Sequence, residues 1–174
     1  MRIHASSVIR HPLGRVYRAY RDELPQIAAF MPNIDSIVVR SREDRTSGPK
    51  LHNVWKGKGE VPQIAQGVIR PEMVCWDDYA DWADASTSCR WQIRTRVFTE
   101  KVHCGGTNRL AAEGDRATRV TLEGELELDL ADIPGVPRIF ARTLKPQVER
   151  FIIAMIRPNL EQVNQALERY LDQA

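Results

Sequence analysis

Residues 119–130, RVTLEGELELDL, alternate without a break. Val120, Leu122, Gly124, Leu126, Leu128 and Leu130 fall on one parity; Thr121, Glu123, Glu125, Glu127 and Asp129 fall on the other. A period of two belongs to a strand. One apolar face and one charged face mean an antiparallel sheet that packs on one side only. Such a sheet needs a second layer to cover its apolar side.

The same alternation recurs along the chain. Residues 2–10 set Ile3, Ala5, Ser7 and Ile9 against Arg2, His4, Ser6 and Arg10, with Val8 out of pattern. Residues 34–44 and 51–59 flank the turn RTSGPK and read as a hairpin with a Gly-Pro loop. Further strands are expected near 73–82, over 88–98 and over 101–113, where Gly105 and Gly106 suggest a bulge. Helical spacing appears in two places. Val16, Tyr20, Leu24, Ile27 and Met31, interrupted by Pro25, predict two short helices over 12–23 and 25–31. Val148, Phe151, Ile152, Met155, Ile156, Leu160, Val163, Leu167, Tyr170 and Leu171 form the stripe of a long helix over 146–173, kinked at Pro158. Such a helix is on the order of 40 Å long. It is the one element long enough to cover the sheet. Residues 60–71, EVPQIAQGVIRP, and the PGVP of 134–137 have no period and read as loops or lids.

The expected architecture is α+β: about seven antiparallel strands, two short helices after the first strand and a long C-terminal helix. The chain's 174 residues suit one domain spanning 1–174. This order resembles the helix-grip fold of the START-like (SRPBCC) superfamily, in which a curved sheet wraps the terminal helix. The resemblance rests on the element order, on HPLGRVYRAYRDELP after the first strand, and on PGVP before a helix ending NLEQVNQALERYL. It implies a hydrophobic ligand between helix and sheet, of the lipid, quinone or polyketide kind. Some members of the superfamily are cyclases. The resemblance carries no residue-by-residue assignment.

Residues 76–91, WDDYADWADASTSCRW, concentrate three of the four tryptophans. DDYAD (77–81) resembles the DDxxD magnesium-diphosphate motif of prenyl-transfer enzymes. That motif needs a helix to gather its carboxylates. On a strand Asp77 and Asp81 part from Asp78, so no metal and no cofactor is expected. Burying Trp76 and Trp82 outweighs burying Tyr79 together with two carboxylates, so the parity of Trp76, Asp78, Ala80 and Trp82 is expected inside. Asp78 then needs a hydrogen-bond partner or a place near a sheet edge.

The inward set that could line a cavity is Asn53, Trp55, Trp76, Trp82, Trp91, Thr95, Asn108 and Leu126 from the sheet, with Phe151 and Met155 from the helix. In that set, Trp55 competes with Val54 for the inward parity. The tryptophans either fill a core or wall a ligand site, and both readings place them inside. His4, His52 and His103 fall outward, and Cys89 and Cys104 read as small core residues. Asp78 is therefore the one catalytic candidate.

Net charge is +2, and the arginines at 90, 94 and 96 are expected to pair with Glu123, Glu125 and Glu127, which argues against a nucleic-acid partner. The chain lacks an apolar run of membrane-spanning length and an apolar leader, and Cys75, Cys89 and Cys104 lack disulfide or zinc spacing. A cytoplasmic address is expected. The reading is a binding or transport protein for a hydrophobic small molecule rather than an enzyme. A cyclase/aromatase using Asp78, and a cavity-free interaction module, are the alternatives.

Overall fold

The computed structural model describes residues 2–58, 74–96, 99–128, 146, 150, 153, 160 and 162–173. Strand β1 (Arg2–Ile9) buries Ile3 and Ile9 and leaves Val8 outward, as its alternation requires. Helix α1 (Leu13–Asp22) starts directly after Pro12, whose fixed φ suits a helix entry. It buries Val16, Tyr17, Ala19 and Tyr20 along one stripe. Helix α2 (Leu24–Ile27) takes Pro25 in its first turn, where no backbone N–H is needed, and tightens into the 3-10 turn Ala28–Phe30.

Strands β2 (Ile34–Glu43) and β3 (Lys50–Gly57) form the expected hairpin. Its turn holds Gly48 at φ 126°, a conformation open to glycine. Strands β4 (Cys75–Ala83) and β5 (Ser88–Thr95) follow, joined by the 3-10 turn Asp84–Ser86 and a left-handed Thr87. Then come β6 (Val102–Ala112) and β7 (Thr118–Leu128). The seven strands make one antiparallel, curved sheet in the order β1-β7-β6-β5-β4-β3-β2. The last helix, α3, occupies 162–171, and residues 146, 150, 153 and 160 are also helical. Residues 60–71, the PGVP segment, Pro158, Phe151 and Met155 lie outside the described residues.

The inner face is the one that periodicity picks out. Leu51, Asn53 and Trp55 of β3 are buried, and so are Trp76, Asp78, Ala80 and Trp82 of β4. Val54 is half-buried and Tyr79 is 39% exposed. Helix α3 packs Val163, Ala166, Leu167 and Leu171 into the same core. Among the described residues, three hydrogen bonds fasten it. His11 Nε2 lies 2.9 Å from Asp172, Arg10 N donates to Glu168 at 3.1 Å, and the Tyr170 hydroxyl donates to Glu23 at 2.6 Å. They join α3 to the β1–α1 corner and to the α1–α2 junction.

Two expectations are corrected. Gly105 and Gly106 form no bulge: β6 keeps an unbroken register with both neighbours. Gly106 instead leaves room for the Trp91 indole. The arginines of β5 do not meet the β7 glutamates, because β6 lies between those strands. Arg90 and Arg94 stand opposite Asp81 and Asp77 of β4, and Arg96 Nε lies 3.4 Å from Asp77. Glu123 pairs with Arg109 at 2.9 Å. Strand order, which alternation does not encode, sets these partners.

Candidate functional site

A space of about 50 Å³ lies between the inner sheet face and the helices. Its described walls bring together Asn53, Trp55, Trp76, Asp78, Trp82, Trp91 and Asn108 from the expected set. Thr95 and Leu126 are buried on the same face but are not part of this lining. The volume admits a few waters. It is smaller than a ring-bearing ligand, so such a ligand requires the walls to part.

Each wall follows from strand pairing. Trp55 and Trp76 stand opposite in the β3–β4 register, and their rings stack at 5.8 Å with 21° between planes. Asn53 and Asp78 form the pair two residues along. Trp82 sits further along β4, where Tyr17 and Tyr20 meet its ring edge-on at 5.3 and 5.6 Å. Trp91 lies opposite Gly106. Its Nε1 donates to Asn108 Oδ1 at 3.0 Å, and Asn108 Nδ2 donates to the Tyr20 hydroxyl at 2.9 Å. This chain of bonds ties the sheet floor to α1. Tyr20 follows the apolar stripe of α1 in the sequence, but no local signal marks its hydroxyl as a partner for Asn108, 88 residues away.

Asp78 is the chemical centre of the cavity. Its Oδ2 accepts from Asn53 Nδ2 at 3.0 Å and from Trp55 Nε1 at 3.4 Å. Neither bond reaches Oδ1. Loss of water raises the Asp78 pKa to about 6; the Asn53 and Trp55 bonds oppose that rise without cancelling it. The neighbouring Asp77, on the outer face, shows the contrast. Burial also raises its pKa, but bonds from His52 at 2.7 Å and from Arg96 outweigh that effect and hold the carboxyl below its usual value. Asp81, also outward, pairs with Arg45 and with Lys50. The three aspartates of DDYAD thus do not converge.

Other reactive groups are quiet. Burial pushes the Cys104 thiol up to about 12 and raises Cys89 strongly, which leaves both as inert thiols. Arg21 reaches the cavity wall, but Asp22 and Asp84 occupy its guanidinium at 2.8 and 2.9 Å. Two polar atoms of the lining residues are buried with no partner: Asn53 Oδ1 and Trp82 Nε1.

No family model matches the sequence, and no curated protein matches it. Solved structures do match. TTHA0849 from Thermus thermophilus superposes with TM-score 0.68 at 23% identity, covering 99% of this chain and 98% of that one. The Zhui aromatase/cyclase from Streptomyces sp. R1128 gives 0.61 at 17% identity over 98% and 95%. A START superfamily protein from Mycobacterium smegmatis gives 0.50 at 10% identity over 93% and 98%. The chain shares the helix-grip α+β fold of these solved structures.

Proposed function

We propose that this START-like, helix-grip chain binds a hydrophobic small molecule in the cavity between α3 and the inner sheet face. The observation that carries the reading is the wall itself: four indoles and few polar groups, two of whose atoms, Asn53 Oδ1 and Trp82 Nε1, are buried without partners. Ligand sites combine an apolar, aromatic lining with a few placed polar groups. The free thiols of Cys75, Cys89 and Cys104 fit a reducing, cytoplasmic compartment. Native mass spectrometry of the freshly purified protein, followed by organic extraction, tests the reading. A stoichiometric apolar adduct supports it. Failure of every apolar probe to perturb tryptophan fluorescence would overturn it in favour of a filled core.

One observation favours a second reading, a cyclase or aromatase-type enzyme. Asp78 is a buried carboxyl whose pKa burial raises to about 6, and its bonds from Asn53 and Trp55 both fall on Oδ2. A group of that kind can take a proton from a bound carbon acid and return it. The fold shared with the Zhui aromatase/cyclase places such chemistry within reach of the architecture but does not assign it. Turnover of a poly-β-ketone probe that Asp78→Asn abolishes, with binding retained, would establish the enzyme over the carrier.

A further inference from the structure

We propose that the preferred ligand of this cavity is a small organic ammonium ion, its charged head on Asp78 and Asn53 and its body against the indoles. The inference rests on the binding reading above and names the ligand's chemical class.

The polar groups of the cavity floor are biased toward acceptors. Asp78 Oδ1 takes neither of the bonds that reach the carboxylate. Asn53 Oδ1 is buried without a donor, and its amide orientation is set because Nδ2 must face the carboxylate. The two residues are direct partners across β3 and β4, joined by the Asn53 Nδ2–Asp78 Oδ2 bond. An ammonium group brings several N–H donors to such a pair. A carboxylate ligand brings only more negative charge.

Charge balance points the same way. Among the described residues no Lys, Arg or His bonds to Asp78. Arg21, in the wall, is held by Asp22 and Asp84. His52 of β3 attracts Asp78 through space, but its bond goes to Asp77 on the opposite face of the sheet. A buried carboxylate without a counter-charge is costly, and a cationic ligand removes that cost. The surroundings of the floor then add to the attraction. The stacked Trp55 and Trp76 lie next to the acceptor pair, and Trp82 and Trp91 complete the aromatic wall. Indole faces attract cations, most strongly where water is excluded. Among the described residues, an aromatic wall around a single carboxylate is the arrangement suited to an amine and unsuited to an anion.

The test compares three probes of one shape: 2-phenylethylammonium, 2-phenylethanol and 3-phenylpropionate. Each is titrated into the full chain with tryptophan fluorescence and ligand-observed NMR as readouts. The ammonium is expected to bind at least about tenfold tighter than the alcohol, with the carboxylate weakest. Asp78→Asn should erase the difference between ammonium and alcohol while the alcohol keeps its affinity. Should that variant not fold, the pH dependence of the wild type serves: the preference should collapse as pH falls below about 6 and Asp78 takes up its proton. Tyr20, Cys89 and Cys104 around the cavity have pKa values raised by burial and stay protonated through that range, and Arg21 stays charged. His52→Gln controls for the imidazole behind the sheet. Equal or tighter binding of the alcohol overturns the ammonium proposal and leaves the pocket standing. Binding by none of the three removes the pocket and the proposal together.

Discussion

Trp91 and Gly106 face each other across β5 and β6, and the indole occupies the space a side chain at 106 would fill. A Cβ on Gly106 would stand 2.6 Å from Trp91 Cζ2 and 2.7 Å from Gly124 Cα. Gly124, the partner of Gly106 on β7, is equally restricted: a Cβ there would meet Trp91 Cη2 at 2.9 Å. Two glycines thus make a bare strip on which the ring lies, with Nε1 aimed at Asn108.

Gly106→Ala should therefore destabilise the protein by about 2 kcal/mol, because the new methyl meets backbone that has no freedom to move. Urea denaturation followed by fluorescence measures the loss. The Trp91 emission should shift as the ring is lifted off its strip. A substitution with no cost would mean the ring does not lie there.

Trp91→Ala should weaken binding of an apolar probe more than Arg94→Ala. Trp91 forms the cavity wall, whereas Arg94 projects to the outer face and lies over the Tyr79 ring at 5.5 Å. Dissociation constants for the two variants, measured with the same probe, decide it. Equal losses would place the binding surface elsewhere.

Asp78 should make stability fall as pH rises. Its folded pKa, about 6, lies above the ordinary carboxyl value of 3.8, so between those two pH values the native state holds the proton and the unfolded chain has lost it. Folding then becomes less favourable with each step up in pH, until both states are ionised above about 6. Asp78→Asn removes that penalty while keeping the shape of the side chain. At pH 7 it should stabilise the protein by up to about 3 kcal/mol, and the gain should shrink toward pH 4. Thermal unfolding of both forms across this range checks the sign.

Glu23 should act in the opposite sense. The Arg15 guanidinium at 2.6 Å, helped by the Tyr170 hydroxyl, holds its carboxyl below the usual value against a smaller desolvation effect. Stability from this cluster is complete above the ordinary carboxyl pKa of 4.5 and is lost as pH falls through the depressed folded value. Tyr170→Phe removes the bond between α3 and the α1–α2 junction. It should cost about 1 kcal/mol at neutral pH and less in acid. A loss that does not change with pH would show that the ring contact with Phe30, and not the hydroxyl, holds the helix there.

Side-chain parity along a strand is a local property, and the residue order alone settled it. Alternation separated Trp76, Asp78 and Trp82 from Tyr79, and it placed Trp91, Asn108 and Leu126 on the inner side with no knowledge of strand neighbours. Proline positions marked the entry to α1 and the first turn of α2 for equally local reasons. The resemblance to the helix-grip fold likewise followed from element order. Which strands lie side by side is not local. That order gave the β5 arginines aspartate partners from β4 instead of glutamates from β7, and it turned an expected bulge at Gly105 and Gly106 into a seat for Trp91. The Asn53–Asp78 pair, the Trp91–Asn108–Tyr20 relay and the raised pKa of Asp78 all arise from groups distant in the chain. Their strength depends on register, packing and the exclusion of water. Those three exist only once the sheet has closed around its helices.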